Sequence, residues 1–311
     1  MNFKNICFLF FSFFAFAFVG CKKEESSDKL PVKAYTGITK SIVDRSTIVS
    51  RVFSDTTIRI VDGVEETEIH FLKEDGYTTR LFVMKIDLKT PGLKLKVATP
   101  YDSPGFGGQT LTDMAKYVDQ PGQRVVGGVN GDFYDISNYV VRGVLHKNGV
   151  VIKNTFTSTA ALPQQGLSFI GILNNGKPHI GYKDEYPTYS SQLKEATGGG
   201  VLLMKDGKPV NNLQFPQIDP RIAIGYTKDD IVYFIVIEGR DFYYSNGATY
   251  AELTKIMNAL DIENGINLDG GGSTTMMIRN PLANVWQVRN RPSDGSPRAV
   301  SNGWLVVADE P

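Results

Sequence analysis

Apolar and polar positions alternate in many short runs along this chain, the period-two pattern of half-buried strands. Arg80 to Leu88 sets Leu81, Val83, Lys85 and Asp87 against Phe82, Met84, Ile86 and Leu88, and Leu93 to Val97 alternates again behind Pro91-Gly92. β-branched runs such as Thr56 to Val61 precede them, and further strands are predicted at 124–129, 201–204, 221–227, 231–237, 266–268 and 304–307. Asp62-Gly63, Asn148-Gly149, Asn175-Gly176 and Asp206-Gly207 supply hairpin turn chemistry. Helical spacing shows in two places. Thr110-x-x-Asp113 opens one helix, with Leu111, Met114, Ala115 and Val118 on one face; Thr249 and Glu252 have capping-box spacing ahead of Leu253, Ile256, Met257 and Leu260. Regular strand–helix alternation is missing, which argues against a doubly wound sheet. The fold class predicted is α+β: mixed or mostly antiparallel sheets with a few packed helices in one main domain.

The first twenty residues follow neither pattern. The Phe-rich run from Ile6 to Val19 behind Lys4 is short for a membrane span and reads as a signal peptide over 1–20. It ends in Gly20-Cys21, which resembles the bacterial lipoprotein processing box. Cys21 is therefore the predicted lipidation site, and the predicted location is the bacterial cell envelope, lipid-anchored on the periplasmic or surface face of the outer membrane. Residues 21–34 form a polar tether, 35–75 an N-terminal β extension of open role, and 76–311 the main domain. With Cys7 in the leader and Cys21 acylated, neither of the two cysteines is left for a disulfide or for thiol catalysis.

Lys+Arg and Asp+Glu both number 33, a net charge of +0, which argues against nucleic acid as a partner. His70, His146 and His179 lie far apart without ligand spacing, so no catalytic metal and no cofactor is expected; a structural calcium held by oxygen ligands stays open.

Candidate chemistry gathers where buried strands end. After Leu268 the chain meets Asp269, then Gly270, Gly271 and Gly272, then Ser273, Thr274 and Thr275. Glycines let a ligand reach backbone N–H groups, and successive N–H groups in a tight turn make a concave anion site. A carboxylate there repels an anion, which makes sense if Asp269 has chemical work to do; the other reading is a glycine-rich turn with an Asx-type cap. A second strand ends in Asn130-Gly131-Asp132, as a site or as an Asn-Gly turn. Arg221 and Glu238 fall at one open end of a hairpin, as an ion pair or as two halves of a site. Arg289, Arg291 and Arg298 suit bidentate holding of phosphate or carboxylate, or are solvated. The stretch 103–108 is glycine-rich but lacks the Gly-Lys-Ser/Thr of a P-loop; it is a mobile loop or a lid.

Asn130 to Tyr134, Arg221-Ile222-Ala223-Ile224-Gly225, Glu238-Gly239-Arg240, Thr249 to Leu253, Asn267 to Thr274 and Arg298 to Gly303, in that order, resemble the phosphodiester glycosidase family over residues 80–308. Thr274 stands where the family often has serine. The resemblance implies a hydrolase that cleaves a sugar-1-phosphodiester in a glycoconjugate, so the partner is a phosphorylated glycan or sugar–phosphate diester. The rival is a glycan-binding lipoprotein without turnover. Phosphate leaves readily as an anion, so positive charge and N–H donors matter more than a strong general acid. In that chemistry Asp269, then Glu238, then Asp132 are the carboxylate candidates. Arg221, Arg298, Gly270, Gly271, Gly272, Ser273 and Thr274 would take the phosphate, and Asn130 a sugar hydroxyl or acetamido group.

Overall fold

The computed structural model describes residues 34–309; the signal peptide, Cys21 and almost all of the tether lie outside the described residues. Every strand pairing among them is antiparallel. The central sheet has eight strands in the order Val49–Val61, Val64–Lys73, Thr78–Asp87, Ile231–Ile237, Arg221–Tyr226, Asn264–Leu268, Leu202–Lys205, Lys208–Pro209. A second sheet runs Val150–Lys153, Leu145–Lys147, Leu193–Gly199, Ser168–Leu173, Pro178–Tyr182, and a third Trp286–Val288, Met276–Arg279, Gln123–Asn130, Gly303–Asp309, Leu93–Ala98.

Alternation along each strand decides which layer it faces. In the central sheet Leu81, Val83, Ala223, Ile235 and Ile237 point to one side. There they bury Ile38 and Ile42 of the helix Gly37–Arg45, and Leu253, Ile256 and Met257 of the helix Tyr250–Ala259. Phe82, Met84, Ile222, Ile224, Val236 and Leu268 point the other way, onto the two smaller sheets, meeting Val97, Val126, Leu145, Ile170, Met276, Trp304 and Val306. The outer face of the third sheet, with Val125, Leu305 and Val307, is covered by the helix Leu111–Val118 through Leu111, Met114 and Ala115. Both faces of the inner strands of the central and third sheets are therefore buried, while the edge strand Val49–Val61 stays largely exposed. Buried Trp304 donates its indole N–H to Thr197 Oγ1 at 2.9 Å, joining the second and third sheets without an unmet polar group.

The turn and cap chemistry behaves as the residues dictate. Asn148 and Gly149 have φ of 51° and 81°, and Asp206 and Gly207 51° and 72°, the left-handed pairs of type I′ hairpin turns. Thr249 accepts from the Glu252 amide while the Glu252 carboxylate accepts from the Thr249 amide, and Thr110 accepts from the Asp113 amide. The segment 35–75 is continuous with the rest. It begins with a helix that the apolar spacing does not announce, and its two strands extend the central sheet, Ile69 pairing with Leu81 and Glu66 with Met84.

Candidate active site

Two strands from different sheets bring two acids together. Gln123–Asn130 of the third sheet runs into Asp132, and Asn264–Leu268 of the central sheet runs into Asp269. Their ends are sewn together by Asn130. Its Nδ2 donates to the Asp269 carbonyl at 2.8 Å, its Oδ1 accepts from the Thr275 amide at 2.9 Å, and the Asp269 amide donates to the Gly131 carbonyl at 2.9 Å. The Asn130 amide is thus spent inside the protein. Gly131 is required where it stands, because a Cβ there would overlap Asn302 Oδ1, which accepts from the Asp132 amide at 2.9 Å.

The Asp132 carboxylate is buried against the bare backbones of Gly143 and Gly198. One oxygen accepts from the Gly143 amide at 2.7 Å; the other has no partner among the described residues. Asp269 keeps a partly exposed edge and is hydrogen-bonded to the Ser273 hydroxyl. Desolvation pushes both acids up to about 7. For Asp132 the nearby Asp269 charge raises it further, while the Gly143 amide and Lys153 oppose; for Asp269 the Ser273 hydroxyl and Arg298 oppose. Two buried polar atoms without partners among the described residues lie in the same segments: Asn302 Nδ2, whose amide oxygen accepts from the Asp132 N–H, and Asn267 Oδ1, two residues before Asp269. Such atoms are costly to bury unmet, and a polar ligand at this place could meet them.

The glycines beside Asp269 do different work from what their sequence suggests. The amides of Gly271, Ser273 and Thr274 are bonded within the protein, to Pro220, Gly270 and Gly271 carbonyls. Among the described residues the Gly272 amide has no backbone or side-chain acceptor. What the bare backbone admits is arginine. A Cβ on Gly271 would lie 3.0 Å from Arg240 Nη2, and one on Gly272 would overlap Arg298 Nη2. Two guanidinium groups therefore flank the turn. Arg298 Nη1 donates to Ser273 Oγ at 3.2 Å and its Nε to Asp294 at 3.0 Å, while Arg240 Nε donates to Asp219 at 3.0 Å. Tyr134 completes this wall, its hydroxyl donating to the Ala299 carbonyl at 3.0 Å and its ring stacked on Tyr139, which in turn lies over the backbone of Gly108 from the glycine-rich 103–108 stretch.

Arg221 and Glu238 come to one strand end, as the predicted register requires: Arg221 pairs with Ile237. Successive residues alternate faces, however, and this puts them on opposite sides of the sheet. Arg221 lies on the helix side. Its Nε donates to the Ala248 carbonyl at 2.9 Å, its Nη2 to Gln217, and its guanidinium sits 4.0 Å over the Tyr250 ring. Glu238 lies on the other side, in a cluster with Glu68, Arg80 and Tyr244, and accepts from the Arg291 amide. Burial first, and Glu68 second among the groups that raise it, push Glu238 up to about 7, and one of its oxygens has no partner. No ion pair joins Arg221 to Glu238 among the described residues.

Residues 289–291 link the two clusters. Arg289 pairs with Glu66 at 3.2 Å and Glu68 at 3.3 Å. Asn290 donates to the Thr274 carbonyl at 2.8 Å and accepts from the Met276 amide at 2.7 Å, and the Arg291 amide meets Glu238. Arg240, Asn302, Asn267 and Tyr134 are candidate site residues that sequence reasoning left unassigned, although each falls inside a motif that carried the family resemblance. A cavity of about 490 Å³ elsewhere, lined by Leu93, Leu95, Ile172 and Leu173, touches none of the candidate residues. No group of three or more His, Cys, Asp or Glu able to hold a metal occurs among the described residues.

No curated protein matches the sequence. In structure the chain is similar to the zebrafish N-acetylglucosamine-1-phosphodiester alpha-N-acetylglucosaminidase catalytic domain auto-inhibited by its pro-peptide, with a TM-score of 0.62 and 18% identity, over 84% of this chain and 85% of that one. It is also similar to a hypothetical protein from Synechocystis, with a TM-score of 0.61 and 16% identity, over 82% of this chain and 64% of that one. At these identities the likeness speaks for the fold. The phosphodiester glycosidase family profile matches residues 123–307, a span that takes in both acids, both flanking arginines and Glu238. On that match the chain belongs to the phosphodiester glycosidase family and is an enzyme of that kind.

Proposed function

We propose that the enzyme hydrolyses a sugar-1-phosphodiester carried by a cell-envelope glycoconjugate, breaking the bond between the anomeric carbon and the phosphate oxygen. Water adds across that bond: its hydroxyl ends on the sugar, its remaining proton balances the released phosphomonoester. The observation that supports this best is the juxtaposition of Asp269 and Asp132 with a glycine turn flanked by two guanidinium groups. Arg298, Arg240 and the Gly272 amide receive the departing phosphate, where charge develops. Asp269, partly exposed and held by Ser273, attacks the anomeric carbon or activates water. Asp132 acts as the second, ionised carboxylate of the pair, with its unpartnered oxygen towards the ligand. Asn302 and Asn267 offer the amide atoms that a sugar's hydroxyls need. The reading takes Cys21 as a lipid anchor, on the sequence of the leader alone.

The test is turnover of a synthetic sugar-1-phosphate diester in ¹⁸O-labelled water. Label on the sugar is expected; label on the phosphate means phosphodiesterase chemistry and overturns the reading, and binding without product leaves only a glycan-binding role.

A further inference from the structure

The strand Val150–Lys153 places a cation behind Asp132 to which no motif drew attention. Lys153 has no carboxylate within ion-pair distance among the described residues. Its Nζ donates to three carbonyls instead, Gly143 at 3.0 Å, Arg142 at 3.4 Å and Thr155. An ammonium has three donors, and these contacts use them all. The Arg142 carbonyl and the Gly143 amide belong to one peptide unit, and that amide donates to Asp132 Oδ2 at 2.7 Å. A positive charge on the oxygen end of a peptide strengthens its N–H as a donor. The same ammonium holds residues 142–144 against Gly198, and so fixes the wall on which the carboxylate rests.

We propose that Lys153 is a positioning residue of the active site, clamping the Arg142–Gly143 peptide so that Asp132 is held oriented and ionisable although buried. This rests on the role given to Asp132 above. The charged groups that face Asp132 are Lys153 from this strand and Asp269 from the end of Asn264–Leu268, and Arg142 faces Lys153 from the intervening loop. Lys153 is the cation that opposes the burial of Asp132. Half-buried, it is itself lowered by desolvation, with Asp132 pulling the other way.

The experiment follows the Asp132 carboxyl directly by ¹³C NMR titration of the aspartate-labelled full chain, in the wild type, Lys153→Met and Lys153→Arg. Removing an opposite charge at this range is expected to raise the Asp132 midpoint by about one pH unit or more. At pH 7 that lowers the ionised fraction about fivefold, with a matching loss of kcat that disappears by pH 9. Lys153→Arg keeps the charge and restores most of the midpoint, which a purely packing role would not do. An unmoved midpoint in folded Lys153→Met overturns the proposal; should that variant not fold, Lys153→Gln, which can still donate to one carbonyl, gives the same reading. A midpoint that moves while the pH dependence of sugar-1-phosphate diester hydrolysis stays put upholds Lys153 and removes Asp132 from turnover instead.

Discussion

Replacing Gly272 with alanine puts a Cβ 2.5 Å from Asp294 Oδ2 and closer still to Arg298 Nη2, where real Cβ contacts stay beyond 3.0 Å. Gly272 does not use the left-handed region, so the backbone itself accepts alanine without strain. The atoms that must yield are the ends of two flexible side chains, and the fold has little to lose. What is lost is the seat of Arg298, whose guanidinium donates to Ser273 and neighbours Asp269. A hydrogen bond to a charged group contributes about 1.5–3 kcal/mol, so a displaced Arg298 costs about ten- to a hundredfold in kcat/KM on a sugar-1-phosphate diester. Gly149→Ala is the control: its Cβ meets nothing within 4 Å while its φ is 81°, so it reports backbone strain alone. The assay pairs kcat/KM with Tm for both variants. Gly272→Ala retaining full kcat/KM would refute the assignment of the glycine run to arginine seating. A large fall in its Tm would show that the clash reaches the backbone.

Asp269→Asn should abolish turnover with an unchanged fold by circular dichroism; undiminished activity removes Asp269 as nucleophile or base. Glu66, Asp132, Glu238 and Asp269 all sit at about 7 when folded, above their unfolded values, so the native state holds protons the unfolded chain has released. Their stability contribution is full below about pH 4 and is lost as pH rises through about 7. Asp132→Asn should therefore raise Tm at pH 7.5 and leave it nearly unchanged at pH 4, and an equal effect at both would contradict the shift. Arg289→Ala leaves fully buried Glu66 without its ion pair and should destabilise in urea unfolding at pH 8.5 but much less at pH 5, where Glu66 is protonated, with Glu66→Gln added to it recovering a good part at the higher pH. Prolonged EDTA treatment should leave kcat unchanged; loss of activity restored by calcium would reveal the oxygen-ligated calcium that the sequence reading leaves open.

The strands and the two capped helices were legible because the information is local. Alternation, Asn-Gly and Asp-Gly turns and a Thr-x-x-Glu cap each act over a few residues, and even the Arg221–Ile237 register follows from the turn between them. The convergence of Asp132 and Asp269 was legible in kind, since both are acids at the ends of buried strands. What closes the gap between their sheets is not local: it is the Asn130 side chain reaching the Asp269 carbonyl.

The roles within the site were the part that residue type does not encode. Arg221 and Arg240 are equally good phosphate ligands on paper, and both lie in family motifs. Arg221 falls on the helix face of its strand, where it is buried and gives its Nε and one Nη to the Ala248 and Gln217 carbonyls, whereas half-exposed Arg240 emerges beside Gly271. Asn130 and Asn302 make the same point in reverse. Both precede glycine at a strand end, yet Asn130 has both amide atoms bonded within the protein while Asn302 keeps Nδ2 unmet. A buried donor without a partner costs about 1–3 kcal/mol unless a ligand meets it. The residue that a sugar should meet is therefore the one the protein has left unsatisfied, and only the full hydrogen-bond inventory of the folded chain identifies it. Asn302→Ala should accordingly raise KM for the diester several-fold, and, because its Oδ1 accepts from the buried Asp132 amide, also destabilise by about 1–3 kcal/mol. Asn130→Ala, which unties the two strand ends, should lower Tm first.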